Sequence, residues 1–175
     1  IVDLFRKEIH KSGAEVTVIE MPTKATARSK PTAIASMAMD AAHLVIELTT
    51  QFVQHSEARQ RGQKRGQRYV FIGDIDNEML AGPGAVYADF KSLAPRIEAI
   101  ADLVTKSSTM RLTTASGTDL TVSTAGRPGR ALTGMAGTPG TFGAPPCLEA
   151  GVIPVPGTAH GRVVVDAYCV ELGLV

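Results

Sequence analysis

The sequence predicts an α/β fold: an open, mostly parallel sheet with helices on both faces, followed by the start of a β-rich second domain. Three observations predict it. Helical and strand patterns alternate over about the first hundred residues. The strand patterns there are near-continuous apolar runs, as expected of strands covered on both sides. After about Ser108 helical periodicity stops, and short Thr- and Ser-rich strands take over. The expected domains are therefore 1–107 and 108–175, with the boundary near residues 106–110.

The elements follow in order. In "IVDLFRKEIHKSG", Ile1, Leu4, Phe5 and Ile9 form one apolar helix face, and Gly13 stands where a helix C-cap wants it. "AEVTVIEMP" is β-branched and closed by Pro22, which reads as a strand. "PTAIASMAMDAA" places good helix formers behind Pro31, a residue suited to a first helical turn. "HLVIELTT" reads as a short apolar strand and "SEARQRGQKRG" as an exposed polar helix with Ser56 as N-cap. "RYVFIG" is another strand and "DIDNEMLAG" a short helix. "DFKSLAPRIEAIADLVTKSS" puts Phe90, Leu93, Ile97, Ile100 and Val104 on one helix face, with Pro95 marking a bend or a start.

Beyond Ser108, "TMRLTTASGTDLTVSTAGR" sets Leu112, Leu120 and Val122 among Thr and Ser around Ser116-Gly117, a β-hairpin signal. A Gly-rich passage runs from Gly126 to Gly143, and "VIPVPGTAHGRVVVDAYCVELGLV" supplies a further turn and strand. The chain opens on Ile1 inside a helical pattern and closes on "VELGLV", which reads as mid-sheet. A fragment of a longer protein is expected, with a strand before Ile1.

Composition narrows the function classes. With 175 residues, 44% of them hydrophobic, the chain builds one good core, or one domain and part of another. A net charge of +1 gives no reason to expect nucleic acid or an anionic membrane as partner. Cys147 and Cys169 lack CxxC or metal-type spacing, so a reducing cytoplasm is the expected compartment. No apolar run approaches a membrane span, and no signal-peptide pattern opens the chain.

Several motifs read as structure. Arg59, Arg61, Lys64, Arg65 and Arg68 lack interleaved aromatics and suit a solvated helix face. "GPGAVY" lacks a third glycine and follows no strand, and Walker A is absent, so neither nucleotide motif is met. Glycines 126, 129, 134, 137, 140 and 143 are too irregular for a phosphate loop and serve tight connections. Asp119 in "GTDLT" reads as a turn residue, and Asp166 after three valines as a turn or cleft residue. His10, His43 and His160 show no metal-pair spacing.

Two residues stand out. His55 falls in a strand-to-helix loop, where open α/β folds place ligands. It reads equally as an ordinary residue before a helix. Glu149 is the only Asp, Glu, Lys or Arg between Arg130 and Arg162. It is either an exposed loop acid or a metal ligand or general base in apolar surroundings.

"TTASGTDLTVSTAGRP" followed by "GAPPCLEAGVIPVPGTAHGRVVVDA" resembles the aminopeptidase T family of metallopeptidases. "SGAEVTVIEMP", "HLVIELTT", "HSEARQRGQKRGQRYV" and "NEML" extend the likeness over nearly the whole chain. The resemblance implies a two-domain, dimeric hydrolase that removes N-terminal residues from peptides by metal-activated water. It implies a pair of Zn, Co or Mn ions, and Glu149 in a Pro-x-x-Glu motif as one ligand, aligned through Pro146 and Pro154. The remaining ligands of that family lie further along, so this chain by itself is expected to be inactive. "PPCLE" departs from the family by carrying Cys-Leu before the acid.

The same superfamily resembles a second branch, the 2,5-dihydroxypyridine dioxygenases, which open a pyridine ring with one non-haem Fe(II). A histidine comparable to His55 faces substrate there, and an apolar residue stands where this chain has Glu149. On Glu149 the peptidase is the expected reading and the dioxygenase the alternative. A non-catalytic binding or assembly module is the third. The expected partners are a small peptide or small-molecule substrate and a second copy of the chain.

Overall fold

The computed structural model describes residues 1–22, 30–50, 52–166, 168–169 and 173–174, with only the backbone for the last four. It confirms the α/β class with a small parallel sheet. The chain forms two compact units. The first comprises Ile1–Ala94 with Leu132–Leu148, and the second Pro95–Ala131 with Glu149–Val175. This differs from a single boundary near residues 106–110, because one segment of the Gly-rich passage returns to the first unit.

In the first unit, α1 (Val2–Lys11) carries Asp3 in its first turn and His10 and Lys11 in its last, matching the helix dipole. Gly13 follows in the left-handed region, φ +81°, as expected. Residues 14–22 form no strand, contrary to the β-branched signal. A strand is defined by a paired ladder, and most of this run is exposed without one. Helix α2 (Ala33–Ala41) is capped by Thr32, whose hydroxyl accepts from the Ala35 N–H. Pro31 therefore precedes the cap rather than occupying the first turn.

Strands β1 (Leu44–Glu47) and β2 (Arg68–Phe71) pair in parallel, Leu44 opposite Arg68 and Glu47 opposite Phe71. Between them runs α3 (Glu57–Lys64), capped by Ser56 as its sequence predicts. The helix is polar but not wholly exposed, since Ala58 and Gly62 are buried. Gly62 matters for close approach: a Cβ there would lie 2.1 Å from Gln67 Oε1. The core of the unit is Met39, Ala58 and Tyr69, with Val45, Phe71 and Phe142 packed on it.

Two short elements follow, α4 (Asn77–Ala81), capped by Asp76, and a 3-10 turn at Ala85–Tyr87. Helix α5 (Phe90–Lys106) begins at Phe90, not at Pro95, because Asp89 accepts from the Ser92 N–H and caps the first turn.

In the second unit, β3 (Thr109–Thr113) and β4 (Asp119–Ser123) form the predicted antiparallel hairpin. Its turn holds Gly117 at φ +102°. A bidentate Arg111–Asp119 pair, both contacts 2.8 Å, bridges the two strands and holds the Asp119 carboxyl below its ordinary range. Thr124, fully buried, bonds the Ser107 carbonyl and hydroxyl.

Strand β5 (Arg130–Leu132) pairs with β7 (Glu149–Gly151). Between them in sequence, β6 (Phe142–Gly143) adds to the parallel sheet beside β2, giving the order β1-β2-β6. Gly143 is required there: a Cβ would sit 2.7 Å from the Met135 carbonyl carbon. Strand β8 (His160–Arg162) pairs antiparallel with β4, and β9 (Tyr168–Cys169) with β10 (Gly173–Leu174). Among the described residues no helix is long and apolar enough to cross a membrane.

Candidate functional site

Parallel pairing brings the carboxyl ends of β1 and β2 to one edge of the sheet, the edge at which open α/β sheets hold ligands. Glu47 is the last residue of β1 and is 4% exposed. A buried carboxylate is costly unless donors surround it, and here three do. The Val53 N–H and the Thr49 hydroxyl donate to Oε1 at 2.7 and 2.6 Å, and the Tyr69 hydroxyl donates to Oε2 at 2.7 Å. Tyr69 is itself buried and stacks on Phe142, and the Arg59 guanidinium lies 5.0 Å from the centre of that ring. Burial first, and then the Glu47 carboxylate, push the Tyr69 phenol well above its ordinary ionisation range.

The segment after β1 is held by this acid. Phe52 packs edge-on against Phe71, ring centres 4.8 Å apart, and Val53 is buried. A tight turn follows, closed by the Ser56 N–H donating to the Val53 carbonyl at 2.9 Å. His55 rides on that turn and is exposed, so the strand-to-helix placement read from the sequence is where the chain puts it. A cleft of about 160 Å³ opens at the same edge, lined chiefly by Leu48, Thr49, Thr50, Ile72, Asp74 and Ile75. Asp74 has φ +53°, a left-handed conformation that Asp tolerates better than most residues.

Glu149 lies in the second unit as the exposed first residue of β7. Among the described residues no three His, Cys, Asp or Glu side chains come together as a metal site. The remaining candidates behave structurally. Arg61 and Arg65 of the basic cluster both reach Asp40 at 3.1 Å and hold its carboxyl below the ordinary range. His10 ends α1, His43 precedes β1, and His160 pairs opposite Thr121 in β8. Asp166 accepts from the Ser116 hydroxyl at 2.5 Å. "GPGAVY" runs from the end of α4 into the 3-10 turn, with no strand before it. Cys147 is an exposed free thiol.

Sequence reasoning passed over Glu47 and Tyr69. The signal that singled out Glu149 applies equally to Glu47, the only Asp, Glu, Lys or Arg between Asp40 and Glu57. For Tyr69 there was no such signal, because a Tyr in an apolar strand is ordinary core.

The family model for 2,5-dihydroxypyridine 5,6-dioxygenase (NicX) matches residues 1–170. Among solved structures, the chain is similar to the 2,5-dihydroxypyridine dioxygenase from Pseudomonas putida KT2440. The two share 23% identity and a TM-score of 0.63, over 81% of this chain and 40% of that one. The chain thus spans less than half the length of that relative. No curated protein matches it.

The family match overturns the aminopeptidase T resemblance, and with it the hydrolase and metallopeptidase activity and the Zn, Co or Mn pair. It favours the alternative branch. The motifs that carried the peptidase resemblance build the scaffold: "GTDLT" shapes the β3–β4 turn, and "HLVIELTT" contains β1. Such scaffolding is shared between unlike chemistries, whereas function lives in the site residues. The ligand role of Glu149 loses the resemblance that implied it.

Proposed function

The chain belongs to the 2,5-dihydroxypyridine 5,6-dioxygenase family, and on that premise we propose that the protein opens the ring of a dihydroxylated pyridine with molecular oxygen. The observation that carries the reading is the family match over residues 1–170. The metal that comes with it is a single Fe(II), which would supply oxygen activation. The described residues do not furnish its site, since no metal-ligating group assembles among them. In this reading the chain works on the substrate side.

His55 is the substrate-facing residue. A neutral imidazole donates from one nitrogen and accepts at the other. A hydroxypyridine offers the complementary pair, a hydroxyl donor and an acceptor oxygen or ring nitrogen. The turn before α3 leaves the imidazole exposed to solvent, which supports this role. A cytoplasmic homodimer taking a small aromatic substrate completes the proposal.

Because the described residues do not furnish the iron site, the test uses the whole protein rather than these residues alone: oxygen uptake after loading with Fe(II) and mixing with 2,5-dihydroxypyridine, followed together with loss of the ring's ultraviolet absorbance. Coupled loss of both is expected, with His55→Ala raising KM about tenfold, the worth of roughly one hydrogen bond. Absence of substrate-dependent oxygen uptake would sink the reading.

A further inference from the structure

The turn that carries His55 is pinned at both ends. At its amino end the Val53 N–H donates to Glu47 Oε1 at 2.7 Å, and the Val53 side chain is buried. At its carboxyl end Ser56 donates its N–H to the Val53 carbonyl, and its hydroxyl accepts from the Arg59 N–H at the start of α3. The same Glu47 oxygen takes the Thr49 hydroxyl, and the other oxygen takes Tyr69. One carboxylate thus joins β1, β2, Thr49 at the cleft and Val53 at the start of the turn. An apolar residue would fill the end of a buried strand without the cost of burying an acid. What an apolar residue would not do is accept from Val53 and Thr49.

We infer that Glu47 is a positioning residue: it fixes the Val53–Ser56 turn and acts on the ring-opening reaction through His55. The catalytic half of this inference rests on the proposed dioxygenase reading, while the clamp rests on geometry alone.

The experiment compares Glu47→Gln, Glu47→Ala and Tyr69→Phe in the whole protein. Amide exchange at Val53, the His55 ring resonances and the kinetics with 2,5-dihydroxypyridine are measured for each. Glu47→Gln keeps an acceptor for Val53 and stays close to wild type. Glu47→Ala exchanges at Val53 about tenfold faster, as for one lost hydrogen bond. The Ile72 amide, which bonds the Glu47 main-chain carbonyl, is unchanged. The His55 resonances move in Glu47→Ala and not in Glu47→Gln.

In the kinetics, Glu47→Ala lowers kcat/KM about tenfold but costs nothing further when His55 is already alanine, because the effect passes through His55. Additive losses overturn the inference, and so does unchanged exchange at Val53. If Glu47→Ala does not fold, Tyr69→Phe takes its place in the same cycle, with a smaller change in the same direction. If the wild-type protein shows no oxygen uptake, the dioxygenase reading fails. Unmoved His55 resonances in Glu47→Ala would then overturn the positioning role separately.

Discussion

Tyr69→Phe removes a single oxygen from a side chain that is 1% exposed. At neutral pH it deprives Glu47 Oε2 of the donor that stands 2.7 Å away. A buried acceptor left short of a partner costs about 1–3 kcal/mol, so the variant is less stable than wild type by that amount at pH 7. At high pH the order reverses. The folded phenol is held protonated, by burial first and then by Glu47, whereas the unfolded one ionises near 10.0. The raised folded value means that this contribution is present in full below the unfolded value and is lost as pH rises toward the folded one. Above pH 10 the native state binds more protons at this site than the unfolded state, so stability falls by about 1.4 kcal/mol per pH unit. Phenylalanine has nothing to lose. The gap of about 1–3 kcal/mol therefore closes over roughly 0.7–2.2 pH units, and the two stability curves cross near about pH 11–12. Urea unfolding of both proteins at steps from pH 7 to 12, followed by circular dichroism, measures it, and titrations common to both cancel in the difference. Curves that stay parallel above pH 10 would refute the reasoning.

Other substitutions probe the remaining contacts. Gly143→Ala brings a Cβ within 2.7 Å of the Met135 backbone. It should cost about 1–3 kcal/mol and speed exchange of the Tyr69 amide, which bonds Thr141 at this strand. Gly137→Ala, with nothing within 4 Å, serves as the control and should stay within about 0.5 kcal/mol by the same denaturation assay. Thr124→Val, at a fully buried hydroxyl bonded to Ser107, should lower stability by about 1–2 kcal/mol in urea. Arg61, and then Arg65, depress the Asp40 carboxyl below 3.8, so its contribution is present above that pH and lost as pH falls below it. The stability difference between wild type and Asp40→Asn should shrink as pH drops from about 4 toward 2; a constant difference would show that the pair contributes nothing.

What the sequence by itself determined is what neighbouring residues decide among themselves. The β3–β4 hairpin follows from alternation around Ser116-Gly117, the α3 start from Ser56, and the α1 end from Gly13. The α/β class follows from apolar runs set between helical patterns, and the place of His55 from its position between two such patterns. The caps rest on contacts a few residues apart, and the hairpin and the class on periodicities read along single segments, so a local pattern is enough to state them. Tertiary structure decided the rest. "AEVTVIEMP" has the composition of a strand but no ladder, whereas Phe142–Gly143, hidden in a Gly-rich passage, becomes one because β2 offers a free edge and Gly143 admits the approach. Two isolated acids read alike in sequence, yet Glu149 is exposed and Glu47 is buried among three donors. The distinction lies in Tyr69, a donor 22 positions away, brought to Glu47 only when two strands pair in parallel. Isolation along the chain marks an acid as unusual, and only the partners that folding supplies decide what it holds.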